Sequence, residues 1–264
     1  IHYTPKLAYV TQASTAKVSA YLIDAATGLL AAVTGSPFAS DMNPTGVSVD
    51  PSGQFAYVSN GGINVNNVSG YRIDGTDGVL NTVSGSPFAA GLSPGAVGVD
   101  SSGRFVYVAN LNSNNVTAFR VDSSNGALAP VGVAVAAGST PRAVSVDPSG
   151  KFVYVANGSG AAGGNSVSAY RIDASDGTLA PIDAGPEPGI QNFPAGTAPS
   201  SVSVDPSGRF AYVANTGSSN VSAYRINATT GALEAVTNSP FAAGLGPSAV
   251  AVDPSGRFVY VANG

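Results

Sequence analysis

The sequence predicts an all-β fold, a β-propeller of four-stranded antiparallel blades, about five of which lie in this chain. Three features predict it: a turn motif that recurs about every 50 residues, strands that are apolar on both faces, and the absence of a helical period. Gly, Pro, Asn and Asp interrupt the chain roughly every 8 to 12 residues, as in all-β proteins. Four short strands in a repeat of roughly 40 to 50 residues correspond to one propeller blade.

An Asp-Pro-Ser-Gly turn, written Asp-Ser-Ser-Gly in its second copy, anchors the repeat. Its copies begin at Asp50, Asp100, Asp147, Asp205 and Asp253, so successive repeats span 50, 47, 58 and 48 residues. Asp accepts backbone hydrogen bonds, Pro fixes φ and Gly supplies a positive φ, and we therefore expect a tight hairpin at each copy. One carboxylate per turn falls short of the roughly six to eight oxygens that Ca²⁺ prefers, so no metal site is predicted.

Four strands, here named A to D, surround each turn. A short Val-rich strand A precedes the turn, an aromatic strand B follows it, strand C reads Val-Ser-Ala-Tyr or a variant, and a weaker strand D follows a Gly-x-Leu turn. The B strands are Phe55–Val58, Phe105–Val108, Phe152–Val155, Phe210–Val213 and Phe258–Val261, with a degenerate copy at Leu7–Val10. Because both faces of these strands are apolar, both must be covered, which stacked blades achieve and a half-solvated sandwich does not.

The repeat Pro-x-x-Val-x-Val-Asp-Pro-Ser-Gly-x-Phe-x-Tyr-Val-Ala-Asn, followed by Val-Ser-Ala-Tyr-Arg-Ile-Asp and Gly-x-Leu, resembles a known family. It is similar to the lactonase-type β-propellers, a seven-bladed group related to the Tyr-Val-Thr-Asn repeat proteins. That group includes 6-phosphogluconolactonases, carboxymuconate-type lactonising enzymes and many secreted propellers with no assigned chemistry. The resemblance covers nearly the whole chain and implies the fold, but a fold alone does not choose among these activities.

The strand inventory leaves the blade count open within a single predicted domain, residues 1–264. The amino end supplies strands B, C and D of one blade, four complete blades follow, and the carboxyl end supplies strands A and B. Three arrangements fit: a larger, seven-bladed propeller truncated at the C-terminus, a small ring with one displaced strand, or chains that exchange the surplus strand. We favour the first, and an unpaired terminal strand would also permit self-association.

Composition excludes several classes of protein. Only 10% of the residues are charged, against about 25% in ordinary domains. The net charge of −4 argues against a nucleic-acid partner, the absence of Cys excludes disulfides and thiolate sites, and no apolar run is long enough to span a membrane. The chain begins at Ile1 and is rich in small polar residues, so we expect a secreted bacterial protein, extracellular or periplasmic, whose signal peptide has been removed.

The charged residues mostly belong to the repeat. The recurrent Arg and Asp side chains are expected to pair along the blade edges as solvated structure. Arg142 is an exception, because the other repeats carry Thr45, Gly95, Ser200 and Ser248 at that position. A guanidinium at the start of an inner strand would grip a carboxylate or phosphate beside the channel, although a solvated arginine at the channel rim is the plainer interpretation.

The 58-residue repeat provides the other candidate site. Its extra length falls largely in residues 183–194, and long loops on rigid scaffolds often bind ligands. We therefore treat Glu187, Gln191 and Phe193 as candidate ligand-binding residues, with a tolerated insertion as the alternative. His2 is the sole histidine and precedes the first repeat, so no Ser-His-Asp triad or multi-histidine metal site is expected in the propeller.

Two functions remain, and we favour the first. The uniform repeat and the absence of an evident acid-base pair indicate a binding or scaffold module for an unidentified protein, glycan or small molecule, without catalytic residues or a cofactor. The alternative is a lactonase of the 6-phosphogluconolactonase type, which the family resemblance and Arg142 support.

Overall fold

The protein is an arc of six antiparallel sheets that stack side by side. The computed structural model describes residues 7–62, 64–158, 164–183 and 192–264. Within these residues the chain forms 25 strands and one 3-10 turn, Ala13–Thr15, and no helix is long and apolar enough to cross a membrane. The sequence-based prediction of an all-β propeller is confirmed.

The A and B strands form the inner half of each blade. The A strands are β5 (Pro44–Val49), β10 (Pro94–Val99), β14 (Pro141–Val146), β19 (Pro199–Val204) and β24 (Pro247–Val252). The B strands are β1 (Leu7–Gln12), β6 (Phe55–Asn60), β11 (Phe105–Asn110), β15 (Phe152–Asn157), β20 (Phe210–Asn215) and β25 (Val259–Asn263).

The C and D strands form the outer half. The C strands are β2 (Lys17–Ile23), β7 (Asn67–Ile73), β12 (Asn115–Val121), β16 (Ser166–Ile172) and β21 (Asn220–Ile226). The D strands are β3 (Leu30–Ala32), β8 (Leu80–Thr82), β13 (Leu128–Ala136), β17 (Leu179–Pro181) and β22 (Leu233–Ala235). Four blades carry a second D segment: β4 (Phe38–Ala39), β9 (Phe88–Ala89), β18 (Asn192–Pro194) and β23 (Phe241–Ala242).

The sheet topology reproduces the predicted strand inventory. The first sheet holds strands B, C and D, the next four sheets hold A to D in order, and the last sheet pairs β24 with β25. Where the D strand is split, both of its segments pair with the same C strand. In three blades a serine bridges the interruption: Ser36, Ser86 and Ser239 each accept a hydrogen bond from a C-strand amide.

The core lies between neighbouring sheets, so both faces of the B strands are covered. Phe152 and Tyr154 of the fourth sheet, for example, share one apolar cluster with Tyr224 and Ile226 of the fifth. The flanks of the arc differ: Phe105 and Tyr107 of a central blade are 2% and 0% exposed, whereas the equivalent Phe258 and Tyr260 of the last sheet are 52% and 63% exposed. Burial of the aromatic strand therefore depends on the neighbouring blade.

Candidate functional site

The two ends of the stack are built differently. Within every complete blade, strand A begins at the end that carries the D–A and B–C connections, and it finishes at the end that carries the A–B and C–D turns. We call the first the mouth end and the second the turn end. Because antiparallel strands alternate in direction, every connection of one kind lies at the same end.

At the turn end, the Asp-Pro-Ser-Gly copies act as caps. In the first copy, one oxygen of Asp50 accepts hydrogen bonds from the amides of Gln54 and Phe55 at 2.8 and 2.7 Å. The other accepts from the amide and the hydroxyl of Ser52, and Gly53 has a φ of 71°. The predicted hairpins are confirmed, and both oxygens of the Asp50 carboxylate accept hydrogen bonds from the turn itself.

A second repeating contact at the turn end locks each blade to the next. The hydroxyls of Tyr9, Tyr57, Tyr107 and Tyr154 donate to the carbonyls of Gly78, Gly126, Gly177 and Gly231 in the following C–D turns, at 3.1, 2.9, 3.1 and 2.9 Å. Gly177 has a φ of 88°, and a Cβ there would lie 2.2 Å from the ring of Phe105. The glycine is required because the aromatic ring of the preceding blade rests on it.

The arginines of the repeat complete the turn end, but the predicted Arg–Asp pairing along the blade edges is wrong. Seven guanidinium groups instead lie over phenylalanine rings: Arg72, Arg104, Arg120, Arg171, Arg209, Arg225 and Arg257. Several also donate to C–D turn carbonyls, as Arg171 does to Thr229 at 2.8 Å. At this end the side chains of the repeat therefore make contacts that hold the fold together.

Arg142, the eighth arginine, lies at the mouth end. It is the second residue of β14, its side chain is exposed, and it lies across Gly158 at the start of a B–C connection. An ideal Cβ at Gly158 would be 2.4 Å from Cδ and Nε of Arg142 and 2.6 Å from the carbonyl oxygen of Pro199. Within the described part of the chain, the Arg142 guanidinium has no hydrogen bond, ion pair or ring contact.

In the preceding blade the glycine and the large side chain exchange places between strand A and the B–C connection. There the A strand carries Gly95 and the B–C connection carries Leu111, and a Cβ on Gly95 would lie 2.1 Å from Cδ1 of Leu111. Each of these two blades therefore has room for one large side chain at this level of the mouth. Arg142 and Leu111 take that room in adjacent blades, which gives the rim a cationic segment beside an apolar one.

Hydroxyl groups occupy the same level in other blades. Thr45 donates to the carbonyl of Pro94 at 2.9 Å, and Ser200 and Thr216 donate to that of Pro247 at 3.0 and 2.7 Å. Each hydroxyl oxygen retains acceptor capacity after donating its proton. The mouth thus combines hydroxyl acceptors with one uncommitted guanidinium, a set suited to a polyhydroxylated ligand.

Asp41 is a mouth-end acid that sequence reasoning did not select. It stands in a D–A connection where the other blades carry Gly91, Gly138, Gly196 and Gly244, and comparison of these loops would have found it. Its carboxylate is half-buried and accepts hydrogen bonds from Nδ2 of Asn67 and from the amide of Met42, both at 2.7 Å. Asp41 therefore ties the connection between the first and second sheets to the start of strand C in the second sheet.

The candidate residues of the long repeat do not join this site. Phe193 lies in β18 opposite Val167, is 4% exposed and belongs to the core between the fourth and fifth sheets. Arg142 is on the innermost strand of that sheet and Phe193 on its outer edge, three strand spacings or roughly 14 Å away. Glu187, Gln191 and His2 lie outside the described residues, and Glu187 and Gln191 stay predictions.

Acidic, histidine and cysteine side chains do not cluster in the described ranges. No group of three or more such residues close enough to hold a metal ion is found there. Among the described residues, the mouth presents Arg142, Lys17, Asp41, Leu111, the hydroxyls and backbone atoms.

Comparison with known proteins shows the family to which the chain belongs. The family model described as "Lactonase, 7-bladed beta-propeller" matches residues 1–139, 82–190 and 164–264. The chain belongs to this lactonase family. The resemblance predicted from the repeat is thereby confirmed.

Solved structures agree on the fold of this lactonase-family chain. A candidate 6-phosphogluconolactonase from Bacteroides uniformis superposes with a TM-score of 0.77 at 17% identity, over 97% of this chain and 71% of the other. The periplasmic gluconolactonase of Pseudomonas aeruginosa gives 0.76 at 21% identity, over 97% and 74%. Hydrazine synthase of Kuenenia stuttgartiensis gives 0.69 at 21% identity, over 98% and 77%. No curated protein matches the chain.

These matches correct the preferred functional prediction. The expectation of a non-catalytic binding scaffold is wrong, because the family match over the whole chain favours the lactonase alternative. A uniform repeat misled the prediction, since it reports the packing of the blades and carries little information about the side chains at one mouth.

Proposed function

We propose that this protein hydrolyses a sugar lactone at its mouth end. The observation that carries the proposal is the lactonase family match, which extends over the whole chain. Two of the similar structures are described as a candidate 6-phosphogluconolactonase and a gluconolactonase, which favours a lactone of a sugar acid as the substrate.

The reaction adds water to the ring ester. Attack of the water oxygen on the carbonyl carbon forms a tetrahedral intermediate, and cleavage of the bond to the ring oxygen then yields a hydroxy acid. Hydrogen-bond donors that meet the developing negative charge contribute most to such acyl transfers. The hydroxyls of Thr45, Ser200 and Thr216 would accept hydrogen bonds from the sugar, while Arg142 supplies a fixed positive charge.

The mouth end, rather than the turn end, is the proposed location because the Arg142 guanidinium has no partner among the described residues and the hydroxyls there keep acceptor capacity. At the turn end, aspartate, serine and arginine side chains are bound to backbone or ring partners. Substrate binding there would require those contacts to break, whereas the mouth needs no rearrangement.

The experiment measures acid release from glucono-δ-lactone and 6-phosphoglucono-δ-lactone above the uncatalysed rate. Ser248→Phe places a ring on an exposed position of the mouth, and Ala25→Phe places the same ring on an exposed C–D turn at the turn end. We expect wild-type turnover of at least one lactone, a loss of tenfold or more in kcat/KM for Ser248→Phe, and little change for Ala25→Phe. Turnover of neither lactone by the wild type, or equal loss in both variants, would contradict the proposal.

A further inference from the structure

Asparagine followed by glycine occurs four times in the chain, at Asn60, Asn125, Asn157 and Asn263. Asn60 and Asn157 end B strands and are fully buried, and Asn263 ends β25, where it is paired with β24. Asn125 differs, because it is exposed in the C–D turn of the third sheet. The pair Asn125-Gly126 therefore lies at the surface and outside the strands.

We propose that Asn125 is a site of spontaneous covalent modification, at which the side-chain amide is lost and part of the product carries its main chain through the side chain. This second product, isoaspartate, weakens the contact between the second and third sheets. The inference goes beyond the proposed lactonase function and does not depend on it.

The reaction consumes only water. The backbone nitrogen of Gly126 attacks Cγ of Asn125, the new C–N bond closes a cyclic imide, and the side-chain nitrogen leaves as ammonia with the proton of the attacking amide. Water then opens the imide. Cleavage at the side-chain carbonyl gives aspartate, and cleavage at the backbone carbonyl gives isoaspartate, whose chain continues through Cγ. Neither step oxidises or reduces a group.

The glycine that makes the pair reactive is required by the packing of the blades. Gly126 has a φ of 80°, and a Cβ there would lie 2.3 Å from Cδ1 of Phe55 in the second sheet. Because glycine lacks a Cβ, its backbone nitrogen can approach Cγ of the preceding residue closely. The hydrogen bond from this nitrogen to the carbonyl of Asp122, at 2.7 Å, must break first, and surface turns open more often than core strands.

The aspartate product fits the turn. Oδ1 of Asn125 accepts a hydrogen bond from the amide of Ala127 at 2.8 Å. Asp77 and Asp176 stand at the equivalent position in two other blades, and Oδ1 of each accepts the equivalent hydrogen bond, at 3.0 and 2.9 Å. Conversion to aspartate is therefore expected to leave the turn intact.

The isoaspartate product does not fit, because it adds a methylene group to the main chain directly before Gly126. The carbonyl of Gly126 accepts a hydrogen bond from the hydroxyl of Tyr57 at 2.9 Å, and the ring of Phe55 occupies the position that a Cβ of Gly126 would take. A displaced Gly126 loses the hydrogen bond or collides with the ring. The modification thus acts on the contact that locks the second sheet to the third.

Two variants and the two buried Asn-Gly pairs provide the controls. Asn125→Thr carries the residue that precedes the glycine in the first and fifth blades, Thr27 and Thr230, and Asn125→Asp carries the normal aspartate product. Each protein is incubated at mildly alkaline pH, and peptide mass spectrometry measures the deamidated fraction at every Asn-Gly pair. Labelling with an isoaspartate-specific methyltransferase measures the isoaspartate formed.

We expect Asn125 of the wild type to deamidate at least about a hundredfold faster than Asn60 and Asn157, which lie in core strands that open rarely. Isoaspartate should form in this peptide of the wild type and not in that of Asn125→Thr. Equal rates at the three sites, or conversion to aspartate without isoaspartate, would overturn the inference.

The effect on the blade contact is measured by urea unfolding. The isoaspartate form, purified by chromatography from aged wild type, is compared with fresh Asn125→Asp, which has the same added charge and an unaltered main chain. We expect a lower urea midpoint for the isoaspartate form than for Asn125→Asp. Equal midpoints would show that the rerouted chain leaves the lock between the second and third sheets intact, and would overturn that part of the inference.

Discussion

The turn end and the mouth end come from the same repeats but obey different rules. At the turn end every copy places Asp, Ser, Gly and Phe in equivalent contacts, and an arginine from the start of strand B or from strand C lies over each Phe ring. At the mouth end the equivalent positions hold Thr45, Gly95, Arg142, Ser200 and Ser248. The three hydroxyls donate to equivalent B-strand carbonyls, those of Ser59, Ala214 and Ala262, whereas Gly95 and Arg142 make no such contact. Repetition therefore marks the contacts that hold the blades together, and departure from it marks the surface where a ligand is expected.

The buried tyrosines of the turn end test its structural role through the dependence of stability on pH. Burial raises the pKa of the turn-end Tyr9 to about 12 and that of Tyr57, Tyr107 and Tyr154 well above its usual range. It also raises to about 12 the pKa of Tyr224, which lies outside this set and donates to the carbonyl of Pro194. The unfolded tyrosines ionise near pH 10. The contribution of the buried, protonated tyrosines to the free energy of unfolding is thus complete below pH 10 and is lost as the pH rises from 10 towards 12.

We expect the free energy of unfolding in urea to fall between pH 8 and 11, by about 1 kcal/mol for a buried tyrosine such as Tyr224 at pH 11. Tyr107→Phe should make the fall shallower, because it removes a buried titrating group, whereas Tyr260→Phe, 63% exposed, should leave it unchanged. Identical pH profiles for the two variants would refute the structural role assigned to the hydroxyl contact.

Two equivalent glycines, one packed against a ring and one not, allow the packing of one blade on the next to be measured. Gly177→Ala forces a Cβ to within 2.2 Å of Phe105 at a φ of 88°, and we expect a loss of about 3 kcal/mol from steric overlap and left-handed strain. Gly28→Ala is the control, because the equivalent glycine of the first blade has a φ of 73° and no atom within 4 Å of the Cβ position. Gly28→Ala should lower the free energy of unfolding only through the left-handed backbone strain, by about 1 to 2 kcal/mol. Equal losses in thermal unfolding would show that the ring contact is not a constraint.

The smallest effect concerns an amide at the mouth end. Ser40 donates to Oδ1 of Asn60 at 2.9 Å, whereas Oδ1 of the equivalent, fully buried Asn110 accepts no hydrogen bond from the described residues and Ala90 stands in place of the serine. We expect Ser40→Ala to lose about 1 kcal/mol and Ala90→Ser to gain up to that amount. Denaturant midpoints measure both, and a loss in Ala90→Ser would mean that the two sites differ in shape.

The repeat allowed the strands, their order and the turn type to be predicted, because each depends on residues within a few positions of one another. The split of the D strands and the partners of the arginines were not predictable in this way. The aspartates were expected to pair with the arginines, but hydrogen bonds to backbone amides and serine hydroxyls already occupy their oxygens. The arginines instead lie over phenylalanine rings, some on the adjacent strand.

The candidate site was predicted in part. Arg142 was identifiable because it breaks the repeat, but its lack of a partner and its seat across Gly158 depend on a connection in the same blade and on the next blade's Pro199. Phe193 was assigned to a ligand-binding loop from chain length alone. Its position in β18 places the ring in the core instead.

By itself the sequence determined the blade, since short strands that are apolar on both faces, a Pro-fixed turn and positive-φ glycines act locally and leave little choice of pairing. Tertiary structure decided which side chains remained free to act. That outcome depends on contacts between residues that are far apart in the chain, such as Tyr57 and Gly126. A neighbouring blade supplies a carbonyl or ring partner in those cases and, at Arg142, supplies none among the described residues.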